Sequence, residues 1–311
     1  NLGATLKDLG RVEEAEASLR QVIALKPDFF GAHYNLGILL YGTGQYEKAS
    51  IFLEGIREKD SQSYLLKCFY NLDDPIRFYK QLDFLIEEGE INSTIGSLTL
   101  RAGIRYGVKR SNVFVFDPFK YIVKIDLVKQ FDFKNIFVQA VRDVLNEKAV
   151  SYKSQGLLTK GKQTAGNFFS KNTDSIGKIE NIILAEIERY RSQFQNSEEG
   201  FLIHWPRQFN LKGWLINMKS GGKLAPHMHE TGWISGAVYI HVPAKTQRNS
   251  GNFAVCIDDN TSGKTTEENR HEIIDVDTGS LVLFPASLMH YTIPFESNEE
   301  RIVLAFDVVP K

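Results

Sequence analysis

The chain has 311 residues, enough for two domains with separate cores. Its 37 Lys and Arg against 38 Asp and Glu leave a net charge of −1, which speaks against a nucleic-acid binder and against a polybasic membrane-surface protein. Cys68 and Cys256 lie in different halves and make no disulfide framework, so a reducing cytoplasm is expected; no apolar run approaches the roughly 20 residues that span a bilayer.

The first seventy residues repeat themselves. Asn1-Leu2-Gly3 recurs as Asn35-Leu36-Gly37, a period of 34. At the same offset Leu6 matches Leu40, Gly10 matches Gly44, Glu13 matches Glu47, Ala15 matches Ala49 and Leu19 matches Leu53, and Pro27-Asp28 closes the first unit. This pattern resembles the tetratricopeptide repeat. The resemblance implies a helix pair per unit, with Gly3 and Ala15 small for close helix approach and Pro27 ending the second helix. The chain opens inside a repeat, so it reads as a fragment. The third unit decays, with Ser61 at the place of Pro27. Residues 62–88 still read as helix, from Tyr64, Leu65, Cys68 and Phe69 to Phe78, Leu82 and Leu85, and Pro75 after Asp73-Asp74 suits a helix start. A helical arm over 1–110, degenerate after about 60, is expected. Such an arm suits a protein or peptide partner, or homodimerisation.

Residues 111–200 read as a lead-in. A helix is expected over 135–148, a loop with short strands over 151–174, and an amphipathic helix over Ile176–Phe194. From 200 onward short β-rich runs follow one another: 201–205, 212–219, 235–242, 252–258, 271–276, 280–284, 290–295 and 301–309. Turn residues such as Gly221-Gly222, Asn249-Ser250-Gly251, Ser262-Gly263 and Thr278-Gly279 separate them. Eight strands without a long helix between them predict a jelly roll. The fold class is α+β multidomain: an all-α arm, then a domain over 111–311 whose double-stranded β-helix core occupies about 200–311 with flanking helices.

Five of the seven histidines fall between 227 and 290. His227 and His229 share a face if their strand continues, and His290 can complete a three-imidazole metal site. A lone His-x-His is more often just polar; His290 and Arg301 in a β-rich frame favour the metal reading. His33, His204, His241 and His271 are read as structural or exposed, with His204 a candidate for a pocket mouth. Trp214, Trp233, Phe284 and Met289 are either core residues or the apolar lining of a site. Ser262-Gly263-Lys264-Thr265 lacks the earlier glycine of a phosphate loop, since Asp258 stands there. Asn92-Ser93-Thr94 fits a glycosylation acceptor, but nothing points to secretion.

The C-terminal third resembles the 2-oxoglutarate- and Fe(II)-dependent oxygenases. Ser220-Gly221-Gly222…Pro226-His227-x-His229 matches the turn and first ligand motif. Ser235-Gly236-Ala237-Val238-Tyr239-Ile240 matches the strand that follows. Gly279-Ser280-Leu281-Val282-Leu283-Phe284-Pro285…His290 and Arg301 match the last part. Within the superfamily the chain bears a closer resemblance to a bacterial and phage group with His-x-His followed by Ser-Gly and a tyrosine-containing strand. The aspartyl/asparaginyl β-hydroxylases are similar in joining such helices to a barrel that ends in an Arg-apolar-Asp-Val strand. The resemblance implies Fe(II), with 2-oxoglutarate as co-substrate, held by His227, His229 and His290. Arg301 would bind the distal carboxylate, with Tyr239 and Ser235 beside it. It implies a dioxygenase, expected to be a hydroxylase. The family usually places Asp or Glu where His229 stands, so Glu230 is the alternative third ligand. A cupin-type metalloprotein is a second reading, although Trp233 and Ile234 stand where its glutamate belongs. A tetratricopeptide adaptor with an inactive barrel is a third.

Overall fold

The structure, a computed structural model, describes residues 11–57, 59–147, 150–171, 173–258 and 270–311. The expectations on Asn1–Gly10 and on Ser262–Thr265 lie outside them. The chain separates into two compact units, Asn1–Glu90 and Ile91–Lys311.

The first unit is a run of helices, each packed on the next: α1 (Val12–Leu25), α2 (Phe30–Gly42), α3 (Tyr46–Leu53), α4 (Lys59–Asn71) and α5 (Pro75–Glu87). The repeat positions behave as the 34-residue period requires. Ala15 and Ala49 are fully buried, and Pro27 follows the last turn of α1. A Cβ on Gly37 would meet Leu53 Cγ at 2.6 Å, so this position admits no side chain while α2 and α3 stay at their present separation. Asp74 caps α5: its carboxylate accepts from the Arg77 N–H at 2.9 Å, with Pro75 at the first helical position. Cys68 is buried, and burial pushes its thiol up to about 12, so it is a small core residue rather than a nucleophile.

The second unit opens with α6 (Ser93–Tyr106), which the sequence reading placed in an arm reaching residue 110. Here it belongs with the barrel unit: its Gly96 lies against Phe114, and the Asn112 side chain donates to Gly96 O at 2.8 Å. The lead-in region supplies β1 (Val123–Asp126), a π turn (Lys134–Val138) running into α7 (Gln139–Leu145), the hairpin β2 (Tyr152–Lys153) and β3 (Leu158–Thr164), and α8 (Asp174–Gln193). The run 201–205, read as a strand, is one turn of helix, α9 (Gly200–Ile203). A short apolar run does not reveal its period. Phe201 and Trp205 of this run are core residues, whereas Ile203 faces solvent.

The remaining strands are β4 (Phe209–His227), β5 (Ile234–His241), β6 (Phe253–Cys256), β7 (His271–Ile274), β8 (Ser280–Pro285), β9 (Met289–Thr292) and β10 (Arg301–Pro310). They form one curled antiparallel sheet in the order β1-β8-β5-β10-β4-β9-β6-β7, with β3 also on β4. Alternation sorts the side chains of β10. Ile302, Leu304, Phe306 and Val308 pack in one core with Ile176, Ile179, Ile183, Ile187 and Tyr190 of α8. Arg301, Val303, Ala305 and Asp307 face a cavity on the other side. The strand is therefore buried on both faces.

β4 pairs with β10 from Phe209 to Met218 and with β9 at Leu224 and His227. Between these stretches Gly221 sits at φ 73°, a left-handed conformation that disfavours side chains, and its N–H donates to Phe295 O. A register shift between Leu224 and His227 lets both residues face the cavity despite their odd spacing.

Gly37→Ala should lower urea-unfolding stability by about 1–3 kcal/mol, despite the better helix propensity of alanine. In a Leu53→Ala background the same change should be tolerated, so the double-mutant cycle should show coupling. Additive effects would contradict the packing argument.

Candidate metal centre

Sheet register builds most of the site. His227, the last residue of β4, lies directly opposite His290 on β9. Their ring centroids are 4.3 Å apart. β4 ends there, so strand parity does not place His229, contrary to the sequence argument. His229 lies in the following turn, where its N–H donates to Ala286 O at 3.2 Å and its carbonyl accepts from Ser93 Oγ at 2.9 Å. Its ring is turned inward by Asp307, which accepts from Nδ1 at 2.6 Å.

All three rings have Nδ1 against an oxygen acceptor. His227 Nδ1 donates to Ala225 O at 2.9 Å and His290 Nδ1 to Leu288 O at 3.1 Å. Carbonyls and carboxylates only accept, so each Nδ1 carries the hydrogen and each neutral ring keeps its lone pair on Nε2. One ligand atom from each ring lies within 4.8 Å of the others, and the Nε2 atoms of His227 and His229 are 3.3 Å apart. Each ring, when neutral with its hydrogen on Nδ1, turns an Nε2 lone pair toward the others, and such convergence is what a cation relieves, so the residues present fit a metal ion. Burial, then the neighbouring His229, lowers the His227 imidazole to about 4. Burial, then His227 and His229, holds His290 well below its ordinary value. Both therefore stand neutral, the form that ligates.

Glu230, the alternative ligand, is exposed and not part of this three-residue group. The three histidines line a cavity of about 430 Å³ that also holds Tyr239, Arg301 and Asp307. Arg301 is only 2% exposed, and its Nε donates to Gly251 O at 3.0 Å. Its guanidinium lies over the Tyr239 ring, 5.1 Å from the centroid. Burial lowers its pKa and raises that of the Tyr239 phenol, with each group moderating the other's shift. Among the described residues Arg301 has no carboxylate partner, an arrangement that favours an anion in the cavity.

Ser235, expected at the co-substrate, is directed elsewhere: its hydroxyl donates to Asp307 Oδ1 at 2.7 Å and lies 3.1 Å from His229 Nδ1. Of the aromatic and sulfur candidates, Trp214 and Phe284 line the cavity, whereas Trp233 donates Nε1 to Phe201 O in the helix-side core. Met289 is buried and does not line the cavity, and His204 is exposed away from it. His33 is bonded to Pro27 O and His241 to Glu299. The sequence reading gave no role to Asp307, although a lone carboxylate inside the apolar run Ile302–Val309 was the available signal. It also gave no cavity role to Lys153, Gln155 and Gln163, which line the cavity from the segment read as a loop with short strands.

Residues 212–307 match the family model described as "Putative 2OG-Fe(II) oxygenase", and residues 6–66 match the tetratricopeptide repeat. No curated protein sequence matches the chain. Solved structures with a similar fold include a Pseudomonas putida prolyl-4-hydroxylase (10% identity, 61% of this chain and 92% of that one, TM-score 0.43). HygX from Streptomyces hygroscopicus, with nickel and 2-oxoglutarate bound, is similar at 13% identity, over 61% and 83% of the chains, with a TM-score of 0.42. A Trichoplax adhaerens prolyl hydroxylase in complex with a hypoxia inducible factor peptide fragment is similar at 12% identity, over 70% and 90%, with a TM-score of 0.44. Fe(II) and 2-oxoglutarate are the metal and co-substrate of the matched family, and residues 212–307 are accordingly a domain of the 2-oxoglutarate/Fe(II) oxygenases, carried in this chain behind a tetratricopeptide-repeat segment.

Proposed function

We propose that the barrel is a 2-oxoglutarate-dependent hydroxylase in which His227, His229 and His290 hold Fe(II) through Nε2. Arg301, with Tyr239, receives the distal carboxylate of the co-substrate. The observation that carries this reading is the cavity itself, with three converging imidazoles and, in its lining, a buried guanidinium that has no carboxylate partner among the described residues. When bound, the metal supplies dioxygen activation coupled to decarboxylation of 2-oxoglutarate to succinate. The protein residues supply placement. Arg301 offers a planar pair of donors to a carboxylate, and Tyr239 supports the guanidinium from its ring face. Trp214, Phe284, Val303 and Ala305 keep the cavity apolar, which strengthens charge interactions within it and limits water.

The repeat arm is proposed to recruit a protein or peptide substrate. Stacked helix pairs present an extended surface, and Leu25, Phe29 and Phe30 stand exposed on this one.

Calorimetry should show Mn(II) binding to the full chain, and 2-oxoglutarate binding only once metal is present. Arg301→Ala should weaken 2-oxoglutarate by about 30-fold or more and leave Mn(II) affinity unchanged. Equal loss of both would remove Arg301 from this role, and absence of metal-dependent 2-oxoglutarate binding would remove the oxygenase reading. With Fe(II) and dioxygen, succinate should form.

The neutral imidazoles should also make the metal-free protein acid-sensitive. The folded pKa of His227 lies below its unfolded value of 6.5, so between 6.5 and about 4 the unfolded chain binds the extra proton. Stability is thus fully present above 6.5 and falls as pH drops toward 4, by about 3 kcal/mol from His227 alone. Urea unfolding across that window should show the slope, and His227→Asn should flatten it.

A further inference from the structure

We propose that Asp307 is the positioning residue of the metal site: its carboxylate fixes the hydrogen of His229 on Nδ1 and turns Nε2 into the cavity. The inference rests on the reading of the three histidines as ligands. His227 and His290 are each oriented by a backbone carbonyl two residues earlier in the chain, Ala225 O and Leu288 O. Any residue type supplies such an acceptor. His229 lies beyond the end of its strand, and its Nδ1 depends on side chains alone. A neutral imidazole without an acceptor at Nδ1 can carry its hydrogen on either nitrogen, and on Nε2 that hydrogen blocks coordination.

Asp307 is built for this task. Its place on β10 sets it opposite Ser235 on β5 and Lys212 on β4. Ser235 donates to the same Oδ1 that accepts from His229, so this oxygen is held from two directions. A Cβ on Gly232 would come within 3.1 Å of Oδ1, so the neighbouring backbone closes over the carboxylate. Asp307 is 5% exposed, and among the described residues it makes no ion pair with Lys or Arg. A carboxylate hydrogen-bonded to the far nitrogen of a histidine ring is the arrangement that orients such a ring toward a metal.

The test reads the tautomer and the metal separately from turnover. In full-length, metal-free protein labelled with 15N-histidine at pH 7.5, long-range 1H–15N spectra should show His229 protonated at Nδ1. Asp307→Ala should give a mixed tautomer and lower Mn(II) affinity by about 10–100-fold, read by electron paramagnetic resonance of free Mn(II). Asp307→Asn keeps an acceptor oxygen and should retain the Nδ1–H form and most of the affinity, a rescue that a merely structural role does not predict. A wild-type His229 protonated at Nε2, or an Asp307→Ala chain that binds Mn(II) like wild type, would overturn the proposal. If Asp307→Ala does not fold, the wild-type spectrum and Asp307→Asn decide it. His290→Ala separates the two readings: it should abolish Mn(II) binding whatever Asp307 does, and if it does not, the metal site itself is misassigned.

Discussion

The pairing of β4 with β9 governs the rest of the barrel unit. It sets His227 against His290 across two adjacent strands, with no loop between them to absorb error. Side-chain direction alternates along a strand, so a slip of one residue would present Met228 or Met289 where an imidazole now stands. The register is held from a distance by the ten-residue ladder of β4 with β10. That ladder ends at the pair Met218 and Arg301, and the glycine turn at 221–222 then hands β4 over to β9. One long strand therefore fixes both ends of the cavity, the imidazoles at its own terminus and the guanidinium beside its midpoint.

The same ladder explains why the sheet has no polar outer face along β10. Helix α8 covers one side and the cavity lies on the other, so the strand reads as nearly continuous apolar sequence. The two charges within it, Arg301 and Asp307, are exceptions that burial makes expensive. Both face the cavity, on the parity that excludes the helix core. Their chemistry is opposite and their placement complementary. Arg301 lies against the Tyr239 ring, while Asp307 accepts from the His229 ring.

Much of this was legible in the sequence because it rests on short-range spacing. The period of 34 located the helical pairs through Gly37, Ala15 and Ala49. The turn glycines and the His-x-His motif located the sheet and two of the three imidazoles that meet in space. What was not legible depends on long-range partners. The inward turn of His229 comes from Asp307, 78 residues away, and not from strand continuation. The direction of Ser235 was hidden for the same reason, since its partner lies on a neighbouring strand. Residues 201–205 failed for a different cause: a five-residue run carries no period, and the packing of Phe201 and Trp205 decides its form. The membership of helix 93–106 in the barrel unit was equally invisible, because it rests on Gly96 meeting Phe114 and on Asn112 reaching back to the helix.

Arg301 has a consequence for the folded state as a whole. A buried guanidinium without a carboxylate partner among the described residues costs the fold a desolvation that the unfolded chain does not share. An anion entering the cavity offsets that cost and binds only the folded form, so occupancy adds to stability by mass action. On the proposed reading of Arg301, the stability of the barrel unit rises with the concentration of the co-substrate before any chemistry occurs.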